Sequence, residues 1–144
     1  MSGNEIQSLV PHAGAMCLLE RIVHWDENCA MLATTTHRST ANPLRRHGRL
    51  HAVHLCEYGA QAMAAHGGLV ARKAGSVAKP GVLVSLREVT LAVDWLDRLG
   101  GELLVEASRL LGGAGGVQYA FRVTHEGREL ARGRAAVIED ASAA

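Results

Sequence analysis

The sequence predicts an α+β domain in which a curled antiparallel β-sheet wraps around one central, buried helix. Three observations predict it: one helix-forming segment that is nearly apolar on every side, strand-like runs before and after that segment, and a length suited to one domain. The chain has 144 residues, of which 48% are hydrophobic, which is enough to bury a core. We therefore expect residues 1–144 to form a single domain.

The helix-forming segment spans residues 51–67. It is rich in helix formers and has few polar residues on any face, which is typical of a buried helix rather than one lying on a surface. Its small residues Gly59, Ala60 and Ala64 would let a sheet approach closely. The Gly-Gly pair at 67–68 predicts its end, although residues 69–73 could extend it.

Strand-like runs lie on both sides of the helix in the sequence. Residues 17–36 predict two strands, since apolar side chains alternate there and the polar residues 26–28 turn the chain. Residues 117–124 alternate cleanly between apolar and polar side chains. The remaining predicted strands are residues 82–93, 103–110 and 129–138. An all-round apolar helix needs a sheet curled around it, which is the hotdog fold, and the sheet edge left open by one copy predicts dimerisation.

Composition excludes several classes of function. The net charge of +1 gives no general attraction to nucleic acid, and two Tyr, two Trp and one Phe are too few for base stacking. Cys17, Cys29 and Cys56 show no CxxC spacing, so neither a disulfide framework nor a thiolate zinc site is expected. The chain lacks the roughly 20-residue apolar run of a membrane span, and its first ten residues lack a secretory pattern. We expect a cytoplasmic protein without membrane insertion.

Several segments resemble those of a known family. Residues 10–16 (VPHAGAM) and 18–23 (LLERIV) resemble the opening of hotdog 3-hydroxyacyl-acyl-carrier-protein dehydratases, and residues 57–65 (EYGAQAMAA) resemble their central-helix motif. Residues 86–89 and 127–135 match in style. The chain is most similar to the subgroup associated with aryl polyene lipid clusters. The resemblance implies a lyase of fatty acid or polyene lipid biosynthesis. Its substrate would be carried on the phosphopantetheine arm of acyl carrier protein or CoA, and it would need no cofactor of its own.

One departure from the family pattern concerns the catalytic base. Housekeeping members carry a G-H-F-P-x-x-P loop whose histidine is the base, and here Asn42 and Pro43 stand in the place of its Gly-His pair. Residues 50–53 (LHAV) stand in the place of the family's M-P-G-V. If the protein is a dehydratase, its base must come from another position.

Glu57 is the predicted catalytic acid. It lies mid-helix among apolar neighbours, where loss of water favours the protonated carboxyl. His54 and Gln61 lie three residues before and four after it, so the three side chains share one helix face, and Gln61 is expected to orient Glu57 or the substrate. The alternative is a structural carboxyl that pairs with a histidine or crosses a dimer interface.

The resemblance makes His12 the first candidate for the base, because the family motif places it on the segment leading into the fold. His51 and His54 flank the helix start and are further candidates for the base or for binding substrate. His47 is expected to be a loop histidine, and surface positions are expected for His24, His37, His66 and His125.

Three further positions are predicted to bind the substrate. Asn42 would hold a water molecule or the thioester. The backbone N–H groups of Ala52 and Val53 would donate to the thioester oxygen, since the first N–H groups of a helix have no partner within it.

A basic rim for acidic carrier protein is predicted from residues that flank the helix in sequence. Its members are Arg45, Arg46, Arg49, Arg72 and Lys73. No complete metal-ligand set is present, so no metal site is expected.

Two other functions remain open alongside the dehydratase. Hotdog helices with one acidic residue also hydrolyse thioesters, so a thioesterase is the first alternative. The second is a catalytically inactive subunit that binds another hotdog chain. A homodimer is expected, and a higher oligomer or a heterodimer stays open.

Overall fold

The computed structural model describes residues 6–9, 14–76, 81–113 and 116–139. Six antiparallel strands form one sheet in the order β1-β2-β4-β5-β6-β3, curled around one helix as predicted. The elements are β1 (Arg21–Trp25), β2 (Cys29–Thr34), the central helix α1 (Leu55–Lys73), β3 (Gly81–Leu91), β4 (Leu103–Gly113), β5 (Gly116–His125) and β6 (Arg128–Glu139).

The period-two alternation of β5 is confirmed by its burial. Tyr119, Phe121 and Val123 are buried against the helix, whereas Arg122 between them is exposed. The helix packs on β2, β4 and β5, so the core lies between the helix and the middle of the sheet.

The central helix approaches the sheet closely at Gly59. A Cβ atom there would lie 2.6 Å from Cγ of Phe121, and one at Gly133 on β6 would lie 2.7 Å from Cε1 of the same ring. The Phe121 ring therefore fills a space that two glycines leave open. The prediction that small residues on the helix permit close packing is confirmed at Gly59.

The helix does not end at the Gly-Gly pair 67–68 but runs on to Lys73, the extension that the sequence left open. Its stop is at Gly75, which has a φ of +75° and donates its N–H to Arg72 O, while Ser76 N donates to Ala71 O. This pair of bonds is a Schellman motif, which needs a left-handed residue that glycine supplies most easily.

Residues 17–19 are not part of a strand, so the first predicted strand begins too early. Strand β1 starts at Arg21, and Leu18 ahead of it bonds to side chains instead of a neighbouring strand. Its N–H donates to Gln61 Oε1, and its carbonyl accepts from the Thr34 hydroxyl. Residues 14–20 therefore form a connection held between the helix and the sheet.

In the described ranges, no helix is both long and apolar enough to cross a membrane.

Candidate functional site

Glu57 lies in the first turn of the central helix and is half-buried. Gln61, one turn later, donates from Nε2 to Glu57 Oε1 at 3.1 Å. Glu57 and Gln61 therefore share one helix face, as predicted, and are joined by a direct hydrogen bond.

Backbone groups fix the orientation of the buried Gln61 amide. Its Oε1 accepts from Leu18 N at 2.8 Å, and its Nε2 donates to Met16 O at 2.7 Å. Because an N–H and a carbonyl cannot exchange these roles, the amide cannot flip, and Gln61 can present only an N–H to Glu57. The helix motif and the opening segment thus meet at one side chain.

A second hydrogen-bond network lies beside Glu57 and was not anticipated from the sequence. Tyr58 is fully buried, and its hydroxyl lies 2.9 Å from Thr36 Oγ1. Thr36 in turn donates to Leu18 O at 2.7 Å. Burial raises the pKa of Tyr58, so its hydroxyl keeps its proton at neutral pH. Leu18 is therefore held on both backbone groups, directly by Gln61 and through Thr36 by Tyr58.

Asn42 has a different role from the one predicted. It is 7% exposed, and its Nδ2 donates to Thr36 O at 2.9 Å and to the Tyr58 hydroxyl at 3.0 Å. Its Oδ1 accepts from Leu44 N at 2.9 Å. The amide that was expected to hold water or thioester instead fastens the loop 37–50 to the helix.

The N–H groups of Ala52 and Val53 are also not available as predicted. Ala52 N donates to Asp94 O at 2.8 Å, and Val53 N donates to His51 Nδ1 at 3.0 Å. The residues lie in a short 3₁₀ turn, Ala52–His54, that joins the loop to the helix, and this turn has its own partners. These two N–H groups therefore do not form the predicted donor site.

His51 caps that turn and contacts an exposed tryptophan. Its ring lies 5.3 Å from Trp95 in an edge arrangement. Because Nδ1 accepts from Val53 N, the neutral ring carries its proton on Nε2. His51 therefore offers a donor, not a free lone pair.

His54 keeps the character of a base. Burial lowers the pKa of His54, and positive charge on His51 and Arg46 lowers it further. A histidine with a lowered pKa is neutral at pH 7 and can accept a proton. His12, the first candidate, lies outside the described residues.

Two histidines expected at the surface are fully buried instead. His66 Nε2 donates to Asp26 O at 2.9 Å, and its Nδ1 lies 2.8 Å from the Tyr119 hydroxyl. His37 donates from Nε2 to Leu99 O at 2.9 Å. Burial lowers the pKa of both rings. A backbone carbonyl from a distant segment satisfies Nε2 of each ring, whereas Nδ1 of His37 has no partner among the described residues.

The predicted basic rim divides into two groups at opposite ends of the helix. Arg49 pairs with Asp97 at 3.3 Å and lies 4.3 Å above the Trp95 ring, near the helix start. Lys73 pairs with Glu27 at 3.3 Å at the helix end. Nineteen helical residues separate the two groups by about 27 Å, so they do not surround one opening.

The other members of that predicted rim mostly bond within the chain. Arg45 donates to Gly48 O and His37 O, and Arg46 donates to Pro43 O and Arg45 O. Arg72 donates to Ser8 Oγ at 2.9 Å. Within the described part of the chain, no three side chains cluster as metal ligands would.

Residues 4–144 match the model of the ApeP-like family, described as ApeP dehydratase. The chain belongs to the ApeP-like dehydratase family. The resemblance drawn from the opening and helix motifs is thereby confirmed. Among curated proteins, none matches this ApeP-like chain in sequence.

Solved structures agree with this family assignment in fold. The dehydratase heterocomplex ApeI:P from Xenorhabdus doucetiae is similar with a TM-score of 0.85 and 21% identity, over 96% of this chain and 93% of that one. AziG from S. sahachiroi has a TM-score of 0.64 at 21% identity, over 91% and 97% of the two chains. E. coli PaaI, from the phenylacetic acid degradation operon, has a TM-score of 0.64 at 17% identity, over 95% and 89%. The hotdog fold is confirmed.

Proposed function

We propose that the protein removes water from a 3-hydroxyacyl thioester carried on the phosphopantetheine arm of acyl carrier protein, giving the 2-enoyl thioester. Membership of a dehydratase family supports the reaction class. The observation that carries the proposal is the half-buried Glu57 carboxyl, held at 3.1 Å by an amide whose orientation is fixed.

Glu57 is the proposed acid. Its Oε1 accepts a hydrogen bond from Gln61, so the transferable proton belongs on Oε2. That proton goes to the departing 3-hydroxyl group, which leaves as water when the carbon–oxygen bond breaks. Gln61 acts as a positioning residue that selects which oxygen carries the proton.

A histidine is the proposed base, which takes the proton from the carbon next to the thioester carbonyl. His12 remains the first candidate, because it stands four residues before Met16, whose carbonyl is bonded to the amide that holds Glu57. His54 is the alternative, since its lowered pKa leaves it neutral. After elimination, the proton on histidine returns through solvent to Glu57.

The Nε2–H of His51 is the proposed donor to the thioester oxygen, on which negative charge develops during proton removal. It replaces the N–H groups of Ala52 and Val53, which have partners within the chain. The capping bond from Val53 N to His51 Nδ1 favours the tautomer that carries the proton on Nε2.

We further propose that the working unit contains a second hotdog chain. Strand β3 is the last strand of the sheet and pairs only with β6 in the described structure. Leu83 and Val84 are 48% and 51% exposed, so this edge strand leaves apolar side chains uncovered. The similar ApeI:P structure is a heterocomplex, so either a second copy or a different hotdog subunit is the expected partner.

The reaction is tested by incubating the purified protein with 3-hydroxyacyl-carrier protein and following loss of water by mass spectrometry. The measurement is repeated with a co-expressed hotdog subunit. We expect Glu57→Gln to slow dehydration by about 100-fold or more. Glu27→Gln, in the exposed β1–β2 turn, is the matched control and should keep the wild-type rate.

Three outcomes would contradict the proposal in different ways. Release of free thiol and free acid would identify a thioesterase. No reaction by wild type, alone or with a partner subunit, would identify a non-catalytic chain. Full activity of Glu57→Gln would remove Glu57 from the chemistry.

A further inference from the structure

A cleft of about 660 Å³ lies where the start of β1, the turn Thr36–Arg38 and the loop before β4 meet. It is distinct from the predicted basic rim, since none of the five rim residues lines it. The lining residues are Glu20, Thr35, Thr36, Arg38, Ser39, Asp97, Arg98, Leu99 and Gly100.

The positive charge in this cleft is unpaired, while the negative charge is not. Asp97 is bound by Arg49 at 3.3 Å and by Leu50 N at 3.1 Å. Arg38 and Arg98 are exposed and form no ion pair with any described residue. These two guanidinium groups are therefore available to an anion.

Glu20, the other acid in the cleft, is tied back to its wall. Its Oε1 accepts from the Thr35 backbone N–H and from the Thr35 hydroxyl at 2.8 Å. Two arginines and two carboxylates line the cleft, and Arg49, which does not line it, offsets the charge of Asp97 from outside.

The cleft is also open to a bulky group, and one of its walls contacts the first turn of the central helix. Gly100 on its rim carries no side chain, and an added Cβ would meet no atom within 4 Å. Thr36 lines the cleft and lies 2.9 Å from the hydroxyl of Tyr58, the neighbour of Glu57 in the sequence. Tyr58 thereby connects the cleft wall to the helix turn that carries Glu57.

We infer that this cleft binds the phosphate group of the pantetheine arm that carries the thioester substrate, with Arg38 and Arg98 as its charged ligands. Guanidinium groups match phosphate oxygens with paired N–H donors. The inference rests on the proposed function for the identity of the arm, because both carrier protein and CoA present a phosphate on it. The inferred phosphate ligands, Arg38 and Arg98, are not members of the predicted basic rim.

Binding is tested without catalysis by titrating the protein with 4′-phosphopantetheine and with pantetheine, which lacks the phosphate. We expect wild type to bind the phosphorylated compound at least tenfold more tightly. The double variant Arg38→Gln/Arg98→Gln should lose that difference, while Arg122→Gln, an exposed arginine on β5 outside the cleft, should keep it. Equal binding of the two compounds by wild type, or an unchanged preference in the double variant, would overturn the inference.

Kinetics then distinguish the two sources of the arm. The double variant should raise KM at least tenfold for 3-hydroxyacyl-carrier protein, for 3-hydroxyacyl-CoA, or for both, with kcat retained, and should leave the pantetheine thioester unaffected. An equal rise in KM for all three substrates would show that the arginines do not bind the phosphate. If wild type dehydrates none of them, the proposed function fails, and the binding titration still decides the cleft.

Discussion

At the scale of single residues, the site depends on how one backbone position is held. Leu18 donates to Gln61 and accepts from Thr36, so the opening segment is fixed against the helix beside Glu57. The spacing of Glu57 and Gln61 predicted their contact, because residues four apart on a helix are neighbours. The hydrogen bond between Leu18 and Gln61 joins residues 43 positions apart, so helical spacing could not predict it.

Replacing His51 by Asn should raise the pKa of His54 toward its ordinary value. Burial is the largest cause of the lowered pKa of His54, followed by the charge of His51 and then that of Arg46. Asn removes the charge at position 51 and keeps the capping function. NMR titration of the His54 ring measures the change. His47→Asn is the control, since His47 is exposed. A pKa that does not move would show that His51 does not contribute and that burial and Arg46 account for the shift.

At the scale of elements, two of the three glycines in the central helix have opposite surroundings. A Cβ at Gly59 would clash with Phe121, whereas one at Gly67 would meet no atom within 4 Å. Sequence alone treats both as weak points of a helix, because neighbours across the core are not encoded in local propensity.

Gly59→Ala should destabilise the protein and Gly67→Ala should stabilise it. Overpacking at Gly59 costs about 1–3 kcal/mol. The gain in helix propensity at either site is only about 0.5–1 kcal/mol. Urea unfolding of both variants gives the two signs. Stabilisation by Gly59→Ala would mean that the Phe121 ring moves aside at little cost.

The C-terminal half of the helix joins the sheet through His66. Its ring links the helix to Asp26 in the β1–β2 turn and to Tyr119 on β5. Nε2 must donate to the Asp26 carbonyl, so the neutral ring accepts from the Tyr119 hydroxyl through Nδ1. Protonation would remove that acceptor.

Stability should therefore fall as the pH is lowered below the titration of an unfolded histidine, about 6.5. Burial lowers the pKa of His66 in the folded protein, so below that pH the unfolded chain binds more protons than the folded chain. Above that pH, the stabilising contribution of neutral His66 is fully present. The unfolding free energy of wild type should drop between about pH 7.5 and 5.5, and His66→Gln should drop less. His24→Gln, at an exposed site, should behave as wild type.

At the scale of the whole molecule, the sheet has two unequal edges. Strand β1 has five residues, whereas β3 has eleven and exposes Leu83, Val84 and Leu86. A long apolar edge with unpaired backbone groups favours association with another strand.

A lysine at Leu86 should weaken association of the chain, because it places a charge in the expected contact. Val23→Lys is the matched control, since Val23 is similarly exposed on β1 at the other edge. Sedimentation measures the mass of each variant, alone and with a co-expressed hotdog subunit. Loss of association in Val23→Lys but not in Leu86→Lys would place the contact at β1 instead.

The sequence by itself determined the strand alternation, the buried helix and the Glu57–Gln61 pair, because each depends on a period of two or 3.6 residues that local order records. Only the tertiary structure decided that Asn42 fastens a loop to Tyr58, that His37 and His66 are buried, and that Arg38 and Arg98 face one cleft. Each of these depends on residues that are distant along the chain and are brought together only when the sheet curls around the helix.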